Sequence, residues 1–68
     1  MTKNAIRELR KARGWTQEEL AHAAGLPSST IRRLENGGTP QLTTAAKIAA
    51  ALGVTLAELF PPATEVAS

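Results

Sequence analysis

Two hexapeptides constrain this chain more than any other feature: "WTQEEL" at residues 15–20 and "VTLAEL" at residues 54–59. Each places a threonine three residues before a glutamate. That is the spacing of a capping box, in which the threonine hydroxyl accepts from the glutamate's backbone N–H and the glutamate carboxylate accepts from the threonine's. Each also puts an apolar residue just before the threonine and another at the fourth helical position, the spacing of a hydrophobic staple. The pairs are Trp15 with Leu20 and Val54 with Leu59. Helices are therefore expected to start at Thr16 and Thr55.

Glycines supply the matching stops. Gly14, Gly25, the pair Gly37 and Gly38, and Gly53 each follow a stretch with helical periodicity. Glycine favours the position just past a helix end, because it enters the left-handed conformation without a Cβ clash. The chain is thereby divided into five segments. The first, about residues 4–13, sets Ile6 and Leu9 on one face. The fourth, about residues 42–52, carries Leu42, Ala45, Ile48, Ala49 and Leu52 on one stripe, and its alanines favour helix and close approach. No alternating strand pattern appears. "PPATEVAS" after Phe60 reads as a helix breaker and a tail. The expectation is an all-α fold of five short helices over residues 1–60, with residues 61–68 mobile or associated with a dimer.

Size and composition narrow the chemistry. A chain of 68 residues is one small domain at most, burying only about 60% of its unfolded surface. With no cysteine and one histidine, disulfides, thiolate chemistry and a metal centre are not expected. The longest apolar run, "IAAAL", is far too short to span a bilayer. The opening "MTKNAIRELRKARG" lacks the apolar stretch of a secretory signal, so cytoplasmic residence is the expectation. The net charge of +2 says little; its distribution says more. Of the eight basic residues, Arg7, Arg10, Lys11 and Arg13 form one group and Arg32 and Arg33 another, with Glu18 and Glu19 between them.

The second and third segments are joined by "AGLPS", a tight turn with a glycine, and the third begins near Pro27 or Ser28. That is the sequence form of a helix-turn-helix. Residues of a helix rotate by about 100° each. With Ile31 and Leu34 turned inward, Ser29, Arg32, Arg33 and Asn36 fall on the opposite side. Ser28 lies at the flank, and Thr30 and Glu35 at the margins of the core. Any amphipathic helix has a polar outer face. This one, however, carries arginines and small hydroxyls and no carboxylate, whereas a merely solvated face more often mixes signs for i,i+4 pairing. Arginine presents a planar fork of donors that matches guanine O6 and N7 in the major groove. Glu35, at the core's edge, needs a partner. Arg10 falls beside Ile6 and Leu9 on the inward face of the first segment, so an Arg10–Glu35 ion pair is expected. Arg13 also falls inward, where its stem covers the core and its charge sits at a helix C-terminus.

The run "IRELRKARGWTQEELAHAAGLPSSTIRRLENG" followed by "TPQLTTAAKIAAALGVTLAELF" resembles the lambda-repressor and Cro-like helix-turn-helix family, also called the XRE family. The resemblance covers about residues 6–60, and "TQEELA", "LENG" and "KIAAALGV", in that order and spacing, carry it. It implies a five-helix domain that binds operator DNA, usually as a two-fold dimer. Ser28, Ser29, Arg32 and Arg33 match positions that face base edges. Gln17 matches a position that contacts phosphate and braces the reading helix. With Thr16, Asn36 and the following loop (Thr39, Gln41, Thr43) it makes the implied set of phosphate contacts. Arg10 and Glu35 match a family ion pair. Two departures stand out. Pro27 occupies a turn position where a hydroxyl cap is common, which leaves Ser28 between capping and contact. The loop "GGTPQ" has no basic residue, so its phosphate contacts would rest on backbone N–H groups and hydroxyls.

The leading function is then a sequence-specific double-stranded DNA-binding transcriptional regulator, a repressor acting by occlusion, reading a palindromic operator as a homodimer. Half-sites would lie one DNA turn, about 34 Å, apart. Leu56, Phe60 and Val66 are the candidate dimer contacts, with Leu59 in the core. The competing function is an antitoxin or other protein-interaction module with subordinate DNA binding. An enzyme is disfavoured: no cysteine is present, no serine sits in a nucleophile elbow, and "GG" before Thr39 and Pro40 is not a phosphate-binding glycine loop. No cofactor, metal or membrane partner is implied. His22 reads as a solvated helix residue and Trp15 as staple and core.

Overall fold

The computed structural model describes residues 4–60. They form five helices: α1 (Ile6–Ala12), α2 (Gln17–Ala24), α3 (Ser28–Glu35), α4 (Leu42–Leu52) and α5 (Leu56–Leu59). No strand occurs among the described residues. The expectations for residues 61–68, including a dimer contact at Val66, lie outside the described residues.

Both capping boxes are closed. Glu19 N–H donates to Thr16 Oγ1 (3.0 Å) while Thr16 N–H donates to Glu19 Oε1 (2.8 Å). Glu58 N–H donates to Thr55 Oγ1 (3.1 Å) and Thr55 N–H to Glu58 Oε1 (2.9 Å). Each pair satisfies N–H groups that a helix start leaves without intrahelical partners. The staples hold the same two entries, with Leu20 and Leu59 fully buried and Trp15 and Val54 packed against them at the core's edge. At the far end of α2, Gly25 takes a left-handed conformation (φ 71°). Its N–H donates to the His22 carbonyl (3.2 Å) and that of Leu26 to the Ala21 carbonyl (2.9 Å), which turns the chain sharply toward α3.

Every helix supplies the core. Ile6, Leu20, Ile31, Leu34, Ile48 and Leu59 are all fully buried. Ala21, Ala24, Ala45 and Ala49 fill the space between the larger side chains, so α2 lies close against both α3 and α4. Each large side chain, removed from water, stabilises the fold by roughly 1.5–3 kcal/mol before conformational entropy is set against it.

The stripe read along α4 stops one turn short. Ala45, Ile48, Ala49 and Leu52 are buried, but Leu42 is 72% exposed. Leu42 is the first residue of the helix, at the margin of the stripe, and a helical side chain leans toward its own N-terminus. Its side chain therefore reaches past the end of the core.

Polar ties fix how the helices sit. Asn4 Nδ2 donates to the Leu34 carbonyl (2.8 Å) while its Oδ1 accepts from Ile6 N–H (3.1 Å), joining the start of α1 to the end of α3. Ala5 N–H donates to the Leu59 carbonyl (2.9 Å), joining α1 to α5. Arg13 Nη2 donates to the Leu52 carbonyl (2.9 Å) at the C-terminus of α4. The same guanidinium lies 5.2 Å from the Trp15 ring centroid, so it caps one helix and covers the staple of another. No helix among the described residues is long and apolar enough to cross a membrane.

Candidate nucleic-acid interface

The site is built around α3. Its start is formed by Pro27, in an extended conformation (φ −67°, ψ 147°), with no side chain accepting from the first turn. Ser28 is the first helical residue and makes no capping bond. Proline's fixed φ sets the entry instead, and the Ser28 hydroxyl is not used by the helix. Ile31 and Leu34 are fully buried, and this turns Ser29, Arg32, Arg33 and Asn36 to solvent, with Ser28 half-buried. Neither Arg32 nor Arg33 makes an ion pair among the described residues. The first turn of α3 holds no acidic residue and its last turn is basic.

A buried carboxylate anchors the other end of this helix. Arg10 grips Glu35 with two prongs, Nε to Oε2 at 2.6 Å and Nη2 to Oε1 at 3.2 Å. The third nitrogen, Nη1, donates to the Trp15 carbonyl (2.8 Å). Gln17 Nε2 donates to Glu35 Oε1 (3.0 Å), and Arg7 Nε lies 3.6 Å from the same oxygen. The Glu35 side chain is fully buried. Burial works against its ionised form. The hydrogen bonds from Arg10 and Gln17, the Arg10 charge and the nearby Arg7 outweigh that and hold the carboxyl below the usual carboxylate range. No buried side-chain nitrogen or oxygen among the described residues lacks a hydrogen-bond partner.

Gln17 thus ties the first residue of α2 to the last residue of α3. One of its two side-chain N–H donors is engaged with Glu35, which leaves the other and the backbone N–H at the helix start as open donors. Thr16 is exposed. Its oxygen accepts from Glu19, and its O–H remains available as a donor. Beyond α3 the chain folds back on itself, with Gly38 N–H donating to the Arg33 carbonyl (3.0 Å). A Cβ on Gly38 would stand 3.0 Å from both Arg33 Cγ and that carbonyl oxygen, so glycine lets the loop lie directly on the Arg33 stem. Asn36, Thr39, Gln41 and Thr43 are exposed, and Gln41 begins α4 without a side-chain cap. The open N–H groups of that first turn are the donors a phosphate would find in a loop without basic residues.

Adjoining the loop after α3 lies an open groove of about 810 Å³. Pro40, Leu42, Ala45, Leu56, Ala57 and Phe60 line it together with Asn4, Gly37, Gly38 and Thr39, and no charged residue does. Leu56 is 37% exposed and Phe60 half-buried. Leu42 was hidden from sequence reasoning because it fits the helical stripe of α4. Asn4, Gln17's bond to Glu35 and the reach of Arg7 carry no local sequence signal, since each depends on how helices cross.

A tight glycine turn between α2 and α3, with α3's inner face buried and its outer face basic, defines a helix-turn-helix domain. A helix-turn-helix family model matches residues 6–59, and the chain belongs to the XRE-type helix-turn-helix family of DNA-binding transcriptional regulators. Among its relatives is the uncharacterized HTH-type transcriptional regulator RghRB of Bacillus subtilis strain 168. It is 43% identical over 63 residues, covering 90% of this chain and 45% of that protein. An uncharacterized HTH-type transcriptional regulator of Methanothermobacter thermautotrophicus is 53% identical over 49 residues, 71% of each chain. The uncharacterized HTH-type transcriptional regulator YgzD of Bacillus subtilis is 34% identical over 59 residues, 85% of this chain and 89% of that one. The chain thus spans less than half of the first of these relatives.

Proposed function

We propose that this protein is a cytoplasmic, non-enzymatic repressor that lays α3 in the major groove of a palindromic operator. Ser28, Ser29, Arg32 and Arg33 meet base edges. Thr16, Gln17, Asn36, Thr39, Gln41 and Thr43 meet the flanking phosphates. The observation that carries this reading is the outer face of α3, where two exposed arginines without partners among the described residues stand on a helix whose buried side is fully packed. Arginine's bidentate fork discriminates guanine from other bases by about 1–3 kcal/mol per good pair.

A single such helix touches only a few base pairs, so specificity requires a second copy on the next turn of the duplex. The uncharged groove at Leu42, Leu56 and Phe60 is the surface we assign to that copy. The apolar part of its lining gains from removal from water, and no charge in it opposes self-association.

Two measurements test the reading. Labelled mixed-sequence duplex DNA should bind the parent at low salt and lose most of that binding when Arg32 and Arg33 are both replaced by alanine. A double variant that is folded by circular dichroism and binds as the parent does contradicts it. In sedimentation, Phe60→Glu should shift a dimeric parent to monomer; a folded, dimeric variant would remove Phe60 from the interface.

A further inference from the structure

The Glu35 cluster carries more positive charge than its carboxylate can use. Arg10 alone neutralises the Glu35 charge, with two charge-assisted hydrogen bonds, and its side chain is only 10% exposed. Arg7 approaches the same carboxylate at 3.6 Å, too far for a hydrogen bond, and its side chain is 55% exposed. Two guanidiniums around one carboxylate leave one net positive charge, and the exposed partner is the one that presents it. That charge is also placed. Arg7 and Gln17 face the same oxygen of Glu35, so the Arg7 guanidinium stands beside the first turn of α2.

Apart from Lys11, which is exposed one turn along α1 from Arg7, the other cations on and just after α1 are already committed. Arg10 is buried in its pair. Arg13 is bonded to the Leu52 carbonyl and covers Trp15. The loop from Gly37 to Gln41 holds no basic residue, so backbone phosphates on that side meet only neutral donors. From this arrangement we infer that Arg7 is a phosphate-contacting residue, carrying the DNA-backbone footprint from the start of α2 onto α1. Glu35 serves as its tether: the weak 3.6 Å attraction keeps the guanidinium near the helix start without consuming its donors. The inference rests on the DNA-binding reading given above.

The test is a salt series of anisotropy titrations on labelled mixed-sequence duplex DNA, with the parent, Arg7→Gln, Arg7→Lys and Lys47→Gln. Thermal unfolding of all four is followed alongside. Each neutralised phosphate contributes about 0.9 to the slope of log affinity against log salt. Arg7→Gln should lower the slope by about that amount, Arg7→Lys should keep the parent's slope, and Lys47→Gln, the same loss of charge on α4, should leave it unchanged. An Arg7→Gln slope equal to the parent's overturns the inference, whether or not melting falls, because a purely structural residue moves only the melting. An equal loss of slope in Lys47→Gln also overturns it, by making the effect one of net charge. Absence of any binding by the parent overturns both this inference and the DNA-binding reading, whereas parent binding with an unchanged Arg7→Gln slope removes the inference alone.

Discussion

The two ends of α3 are held by opposite means. Its C-terminal end is tied to three other parts of the molecule. Glu35 is gripped by Arg10 of α1 and by Gln17 of α2, the Leu34 carbonyl accepts from Asn4, and the Arg33 carbonyl accepts from Gly38. Its N-terminal end has no side-chain cap at all, only the fixed φ of Pro27 and the packing of Ile31 beneath. The contrast separates rigidity from availability along eight residues. Donors inside the molecule are spent at one end, so the other end keeps its serine hydroxyls and open N–H groups for a partner outside. A polar group already bonded within the fold gains little from a ligand, while one bonded only to water exchanges that bond for a net gain of about 0.5–1.5 kcal/mol.

The contrast can be broken most severely at the locked end. Arg10→Met leaves a buried carboxylate without its main partner, and such losses cost about 3–5 kcal/mol. The low end of that range is expected here, since Gln17 and Arg7 remain beside Glu35. Urea unfolding with an unchanged midpoint would show that the pair does not hold the helix.

Acid removes part of the same stabilisation. The folded-state pKa of Glu35 is depressed below its ordinary value. Its contribution is therefore complete above the ordinary glutamate range, near about 4.3, and is lost as pH falls below that range through the folded-state value. Melting curves should show the parent losing stability on that acid limb more steeply than Glu35→Gln. Parallel curves would place the acid sensitivity elsewhere.

At the open end the effects move from stability to binding. Arg33→Ala should cost about 1–3 kcal/mol of affinity and relax base preference at one position of each half-site, while folding stability changes by no more than about 0.5 kcal/mol. A uniform loss across all sequences would mark Arg33 as a phosphate contact. The smallest effect belongs to Ser28→Ala. Because the Ser28 hydroxyl caps nothing, its removal should stay within about 0.5 kcal/mol in unfolding. A loss nearer the 1 kcal/mol of a true N-cap would restore the capping role and blunt the contrast between the two ends.

How much of this could be read from the chain differs by the kind of interaction. Thr16 and Thr55 announce their helices because a capping box and its staple are complete within six residues. The glycine stop at Gly25 is equally local. The inward turn of Ile31, Leu34, Arg10 and Glu35 follows from helical rotation alone. Leu42 shows where that reasoning ends: rotation tells which side a residue faces, but not how far along the helix the core extends. Gln17, Asn4 and Arg13 show a second boundary. Each bonds to a carbonyl or carboxylate on a helix distant in sequence, and those partners are chosen by crossing angles that no single segment encodes. In the interface the residue types and the face of α3 were legible, whereas the commitment of Gln17's side chain to Glu35 and the exposed cation at Arg7 were not.

The central claim is that the outer face of α3, presented by a helix locked at its far end, reads DNA sequence. Selection of bound duplexes from a random pool tests it most directly. The account expects the parent to enrich a palindrome whose half-sites lie about 34 Å apart, and Arg33→Ala to lose one symmetric pair of preferred bases from it. Failure of the parent to enrich any sequence, or an identical consensus from a folded variant lacking both α3 arginines, would contradict it.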